Sequence, residues 1–276
     1  MGFVRYFCDE EMSAYHLKHC EGQSHAFRKH AHEEHAIALV TGGSSLFKFV
    51  DEAFHVQKGQ LVVIRKGLVH QCCPKCVEQW RFYMLHLSEE WISQAGFKNE
   101  SIPAFAIRDL DSAEFERITL YFKTACNHIE EAEENLVLIA EAAFMQPSDQ
   151  TLEWTSVDSD EMMLESVCDE IRARLFETIS LDELAQKAQV DRYALIRRFG
   201  RRFNTTPHAW QNMLRMNAAK HLLENAVTIA ETALEVGFYD QSHFTKHFKE
   251  TFGITPKQFI QGRVLGPSTD YTMSKE

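Results

Sequence analysis

SLDELAQKAQVDRYALIRRFGRRFNTTP, Ser180 to Pro207, and TIAETALEVGFYDQSHFTKHFKETFGITP, Thr228 to Pro256, are two copies of one pattern. Ser180 with Glu183 and Thr228 with Glu231 have the spacing at which a hydroxyl and a carboxylate satisfy the exposed amides of a helix start. Leu181, Ala185 and Ala188 match Ile229, Ala233 and Val236 at an offset of 48, giving each short helix one apolar face. Phe199, Phe203, Thr206 and Pro207 then match Phe248, Phe252, Thr255 and Pro256 at an offset of 49, so the extra residue lies in the turn. Asp191 and Asp240 are placed to cap second helices that turn Leu195 and Phe199, or Phe244 and Phe248, inward. The pattern predicts two helix-turn-helix units.

Thr206 to Glu224 reads as the long helix between them, with Thr206 as cap, Pro207 in the first turn, and Trp210, Leu214, Ala218 and Leu222 recurring on one face. MMLESVCDEIRARLF, Met162 to Phe176, predicts a helix packed on the first unit. Each second helix carries polar or basic residues outward. A helical protein-binding adaptor without affinity for DNA is the competing reading, and it leaves those faces without a role.

On these residues the segment from Met162 to Arg263 resembles the DNA-binding domain of AraC/XylS-family transcription regulators. The most specific portion is IAETALEVGFYDQSHFTKHFKETFGITPKQF, in which a GF pair, a short polar segment, an amphipathic helix and a G-x-T-P stop follow in order. The first unit departs from that pattern at Gln189, where glycine is common, at Asp191, where serine is common, and at Asn204, in place of a helix-ending glycine. The resemblance implies a DNA-binding regulator, an activator acting as a homodimer on double-stranded promoter DNA and contacting RNA polymerase. It implies DNA contacts by Arg192, Tyr193, Ile196, Arg197 and Arg198 in the first unit, and by Gln241, Ser242, His243, Thr245 and Lys246 in the second. Arg197 suits bidentate contact to guanine and Gln241 suits adenine.

The net charge of −11 conceals an asymmetry. Ile171 to Glu276 holds 15 Lys or Arg against 11 Asp or Glu, a net of +4, and the rest of the chain carries −15. Charge taken domain by domain therefore fits a nucleic-acid-binding C-terminal half. No segment has the uninterrupted apolar length of a membrane helix and no secretory start is present, so a cytoplasmic protein without membrane contact is expected. Seven cysteines, an odd number, do not resemble a secreted disulfide scaffold, and reduced thiols follow.

The N-terminal half reads as short strands. IALV at Ile37 to Val40, SLFKFV at Ser45 to Val50, QLVVI at Gln60 to Ile64 and WRFYMLHL at Trp80 to Leu87 are separated by glycine-containing turns, a pattern of barrels and sandwiches. Phe3, Tyr6 and Phe7 suit an edge strand or flap. Apolar stripes at Phe115, Ile118, Phe122 and Ala125, then Leu136, Ile139, Ala140 and Ala143, predict two helices after them. The H-x-H at His30 and His32 and the stretch from Gly59 to His70 resemble the small cupin barrel that serves many AraC-like regulators as an effector domain.

The expected architecture is thus two-domain: an all-β cupin-like barrel with following helices as sensor and dimerisation domain over 1–146, a linker over 147–160, an all-α domain with two helix-turn-helix units over 161–265, and a frayed tail over 266–276. His30, His32, His35 and His70 are the candidate binders of a small-molecule effector. With Glu34 they are also candidate ligands of a divalent metal such as zinc or iron, to which imidazoles are suited. A packing role for these histidines is the plain alternative. Cys73 and Cys76 form a single C-x-x-C, a candidate redox or metal pair or an incidental turn. No cofactor is certain. A metal-dependent cupin enzyme, dioxygenase or isomerase, would explain the histidines but leave the duplicated C-terminal units idle.

Overall fold

The computed structural model describes residues 3–8, 14–22, 29–128, 132–152, 161–261 and 263–265. Its N-terminal part runs β1 (Phe3–Cys8), β2 (Tyr15–Glu21), β3 (His35–Gly42), β4 (Ser44–Lys48), β5 (Ala53–Gln57), β6 (Gln60–Ile64), β7 (Gln71–Pro74), β8 (Arg81–Leu87), α1 (Glu89–Gln94), β9 (Phe105–Asp109), α2 (Ser112–Asn127), α3 (Glu133–Phe144) and β10 (Gln150–Leu152). The remainder is α4 (Glu161–Ala173), α5 (Leu181–Lys187), α6 (Arg192–Phe203), α7 (Pro207–Glu224), α8 (Ile229–Glu235), α9 (Gln241–Phe252), α10 (Pro256–Gln261) and β11 (Arg263–Leu265).

Successive side chains of a strand point to opposite faces, and β3 shows what this does here. Ala36, Ala38 and Val40 share a core with Phe47, Phe49, Val56 and Cys72 from the strands β4, β5 and β7 and their flank. Ile37 and Leu39 instead share a core with Ile118 and Phe122 of α2 and Leu136 and Ile139 of α3. Both faces are covered, so the central strands read as continuous apolar runs rather than as alternation. The two helical stripes expected from sequence are buried as anticipated at Ile118, Phe122 and Ala125 and at Leu136, Ile139, Ala140 and Ala143.

The cupin-like barrel is not formed. Eight strands make one open sheet in the order β10-β9-β6-β3-β8-β2-β1-β11, and β5-β4-β7 make a separate sheet of three. Closure would require the outer strands to pair. Here the large sheet ends in β10 and β11, three residues each, which pair with β9 and β1 and not with each other. The two sheets meet through side chains, with Phe47, Phe49, Phe54 and Phe105 in ring contact. Short strands with glycine turns are common to sandwiches and barrels, and closure is a long-range pairing that they do not specify.

Other expectations shift in detail. Residues 150–152 of the expected linker form the edge strand β10, while 153–160 and the tail 266–276 lie outside the described residues. Strand β1 is no flap: it pairs antiparallel with β2 and parallel with β11. Helix α4 stops at Ala173 rather than Phe176, because side chains of α7 claim the carbonyls beyond it. Gln211 Nε2 donates to Leu175 O and Glu177 O at 3.0 and 2.9 Å, and Arg215 donates to the same two carbonyls at 2.8 and 2.7 Å. Helix α7 buries Met213, Met216, Ala219 and Leu223 together with the expected Trp210, while the expected Leu214, Ala218 and Leu222 are half-buried at the margin of the cores.

The caps expected from sequence are present. Ser180–Glu183 and Thr228–Glu231 form capping boxes, Thr206 caps α7 ahead of Pro207, and Asn204 ends α6 in the left-handed region at φ 53°. Met216, Ala219 and Leu223 of α7 belong to the same core as Val4 and Tyr6, and the Tyr6 and Phe259 rings meet edge-on at 4.9 Å.

Candidate nucleic-acid interface and ligand cleft

Asp191 Oδ1 accepts from the backbone N–H groups of Tyr193 and Ala194 at 2.9 Å each, which sets the start of α6. The bond from Ala194 and the nearby positive Arg197 hold this carboxyl below the usual range. Burying Leu195 and Phe199 turns the rest of the helix outward. Arg192, Tyr193 and Arg197 are exposed, whereas Ile196 and Arg198 are half-buried. The Arg192 guanidinium lies 5.1 Å over the Tyr193 ring, so the two form one exposed unit.

In the second unit Asp240 Oδ1 accepts from His243 N at 2.8 Å, and Phe244 and Phe248 are buried. Gln241, Ser242, His243 and Lys246 are exposed and Thr245 is half-buried. His243 also packs edge-on against Phe238 at 5.2 Å and His247 at 4.7 Å, a positioning contact that its place in the sequence did not reveal. Tyr239, 94% exposed in the turn, and Leu234, 66% exposed on α8, are large apolar groups beside this face that the reading by motif passed over. For Leu234 the signal was an apolar residue out of phase with the α8 stripe.

The histidines divide differently from expectation. His30 and His70 exchange backbone hydrogen bonds at 2.9 Å, and the ring nitrogens of His30, His32 and His70 lie within 4.8 Å of one another. His70 Nδ1 lies 2.9 Å from Leu68 O and so carries the proton there. That leaves His70 Nε2 as a bare lone pair, buried without a hydrogen-bond partner; His32 Nε2 is likewise buried and unpartnered. Burial pushes His70 down to about 4 and His32 well below its ordinary value, so both are neutral imidazoles, the form a metal requires. Glu34 is not in this group. It stands with His16 and His86, whose ligand atoms also lie within 4.8 Å of one another. His35, next along the chain at the start of β3, is fully buried and joins neither cluster. His16 and His86 were not expected. They are register partners on β2 and β8, a pairing that no local motif encodes.

The two clusters adjoin, since the His32 and His86 rings meet at 4.9 Å. Across them lie Asn217 and Lys220 of α7 and Thr251 and Phe252 of α9, enclosing about 40 Å³. That volume fits ions and water, not an organic molecule. A larger cleft of about 220 Å³ lies between the sensor part, including Phe49, Asp51, Glu52 and Leu68, and Arg201 and Arg202 at the end of α6. Lys29 Nζ, beside it, donates to Asn204 O and Oδ1 at 2.8 and 2.6 Å. Cys73 and Cys76 are half-exposed free thiols, and among the described residues neither joins a group of three metal-ligating side chains. No helix among the described residues is long and apolar enough to cross a membrane.

Comparison with known proteins places both halves. A family model described as a helix-turn-helix domain matches residues 184–262, and one described as an AraC-like ligand binding domain matches 18–146. The lactose operon transcription activator of Staphylococcus xylosus is 19% identical over 82% of this chain and 84% of its own length. The HTH-type transcriptional regulator GbdR of Pseudomonas aeruginosa is 38% identical, over 35% of this chain and 26% of its own length. The crystal structure of ToxT from Vibrio cholerae superposes with a TM-score of 0.58, covering 95% of this chain and 97% of that one at 11% identity.

Proposed function

We infer, from a chain that joins an AraC-like ligand binding domain to a helix-turn-helix domain, that its work is the control of transcription. It is a DNA-binding regulator, not an enzyme, under the control of a signal received by the N-terminal domain. The observation that carries this reading is the duplicated unit itself: two capped helix pairs, held at the two ends of the buried α7, each presenting an exposed face on its second helix. In our assignment residues 1–146 sense and dimerise, 147–160 connect, with 150–152 held on the sensor sheet as β10, and 161–265 bind promoter DNA. Arg197 and Gln241 read base edges, with Tyr193 and Ile196 against thymine methyl or sugar, while Arg192, Arg198, Ser242, His243, Thr245 and Lys246 position the chain. Two such helices enter successive major grooves about 34 Å apart.

The same reading makes the protein an activator that works as a homodimer. We assign the dimer contact to the outer face of the α2–α3 pair, where Leu120 of α2 is 61% exposed. Tyr239 and Leu234 extend the second unit's surface toward RNA polymerase. Selection of bound genomic fragments, followed by footprinting, tests the assignment: protection of two segments one helical turn apart on one face of the duplex is expected, and protein that retains no fragment at low salt contradicts it.

For the signal, His30, His32 and His70 are assigned a divalent ion such as zinc or iron. The support is a pair of buried ring nitrogens without hydrogen-bond partners, His32 Nε2 and His70 Nε2, which an ion would satisfy. Metal analysis of protein purified without chelator is expected to find an ion that His70→Ala loses. The cleft of about 220 Å³ is the alternative seat of an organic effector.

A further inference from the structure

Lys220 on α7 reaches out of the DNA-binding half and places its Nζ 2.8 Å from His16 Nε2 on β2. An ammonium has only hydrogens to offer, so His16 Nε2 is the acceptor and the imidazole proton sits on Nδ1. On that side Glu34 Oε1 is 4.0 Å away, and the His86 ring stacks on His16 at 4.2 Å. Three ligands thus converge from β2, β8 and the residue preceding β3. In a tetrahedral zinc site the donors lie roughly 3.4 Å apart, as bond lengths near 2.1 Å require. The present spread of up to 4.8 Å closes by side-chain rotation, for which Glu34, 17% exposed, has room.

We propose that His16, Glu34 and His86 form a second divalent-metal site, and that filling it releases Lys220 and so loosens α7 from the N-terminal sheet. The two events exclude each other by the chemistry of one ring. If the ion binds His16 Nε2, it takes the lone pair that Lys220 uses. If it binds Nδ1, that nitrogen gives up its proton to solvent and Nε2 takes one up, so an N–H then faces the ammonium. The ion adds two positive charges, of which the Glu34 carboxylate offsets one, and Lys220 withdraws to Glu224, one helical turn on and already 4.0 Å away. Lys18, the other buried cation of the cleft, keeps its places over the Tyr6 and Phe82 rings at 5.4 and 5.8 Å. Because α7 joins both helix-turn-helix units, freeing it alters their hold on the sensor; this consequence rests on the proposed role of those units in binding DNA.

Titration of the full chain with Co²⁺, followed by its ligand-field absorption and by calorimetry with Zn²⁺, tests the site. Two equivalents are expected for the unaltered chain. His30→Ala with His70→Ala should leave one, and Glu34→Gln with His86→Gln should remove that one. Lys220→Met, which keeps the apolar stem, should tighten this site roughly tenfold or more, since a charge-assisted hydrogen bond no longer competes. Lys220→Arg, which keeps the charge, should bind as the unaltered chain does. Loss of all metal in the His30/His70 variant, or equal affinity in Lys220→Met, overturns the proposal. A protein that behaves as expected with metal but retains no DNA would instead overturn the regulatory reading alone.

Discussion

Gln189 and Gly237, 48 positions apart, occupy the same place in the two turns and share a left-handed backbone, at φ 55° and 80°. Glycine adopts this conformation freely, whereas a side-chain-bearing residue is strained there by roughly 1–2 kcal/mol. The first unit therefore keeps its turn at an energetic disadvantage that the second avoids.

Gln189 is exposed, so nothing but the backbone is at stake. Gln189→Gly is expected to stabilise the protein by about 1 kcal/mol in urea unfolding. An unchanged or lowered midpoint would show that the strain is relieved in some other way.

Gly237 answers to a second constraint. A Cβ there would stand 2.8 Å from Phe176 O and 3.3 Å from Arg215 Cζ. Gly237→Ala should cost about 2 kcal/mol or more, through both the clash and the backbone. A thermal melt within a degree of the parent would contradict this close approach.

Arg215 holds the segment after α4 by donating to Leu175 O and Glu177 O. Its side chain is nearly buried, and Arg215→Ala removes two charge-assisted bonds while Gln211 Nε2 still donates to both carbonyls, so a loss of about 2 kcal/mol is expected. Arg215→Lys, with a single point of donation, should recover only part of it. Equal stability of the arginine and lysine forms would remove the two-carbonyl clamp from the account.

His221 on α7 lies 3.2 Å from Glu224 and 3.3 Å from Glu33 of the sensor part, and these carboxylates raise its pKa to about 9. A raised pKa means that the folded state holds the proton more tightly. The stabilisation is full below pH 6.5 and disappears as pH climbs through about 9. Lys18, pushed down to about 8 by burial, works in the opposite sense between there and its ordinary 10.5, which overlaps the upper end of this range. The informative quantity is thus the difference between the parent and His221→Gln, which should shrink from pH 6.5 to 9.5. A difference independent of pH would exclude the paired histidinium.

The C-terminal half was legible because its signals are local. Ser180, Asp191, Thr206, Thr228 and Asp240 each cap the helix that follows, within three residues of the amides they satisfy. Even the end of α4 is an exception with a cause, since the groups that stop it, Gln211 and Arg215, lie more than 30 residues on. The N-terminal half turned on pairings of long range. Strand β2 reads as mixed sequence, yet its register with β8 sets His16 beside His86. Glu34 lies in the bend before β3 and His35 is that strand's first residue, so these neighbours in sequence face different surroundings, and the expected set of ligands was split by that single step.

Base reading by Arg197 is the claim on which the output rests, and it is separable from simple attraction to phosphate. Affinity of the full chain for a selected promoter fragment and for a scrambled one, each measured over a range of salt with Arg197→Ala beside the parent, gives the direct answer. The account predicts a loss of roughly 1–3 kcal/mol on the selected fragment, little change on the scrambled one, and a nearly unaltered salt slope. Equal losses on both fragments, with a shallower slope, would contradict it and make Arg197 a phosphate contact.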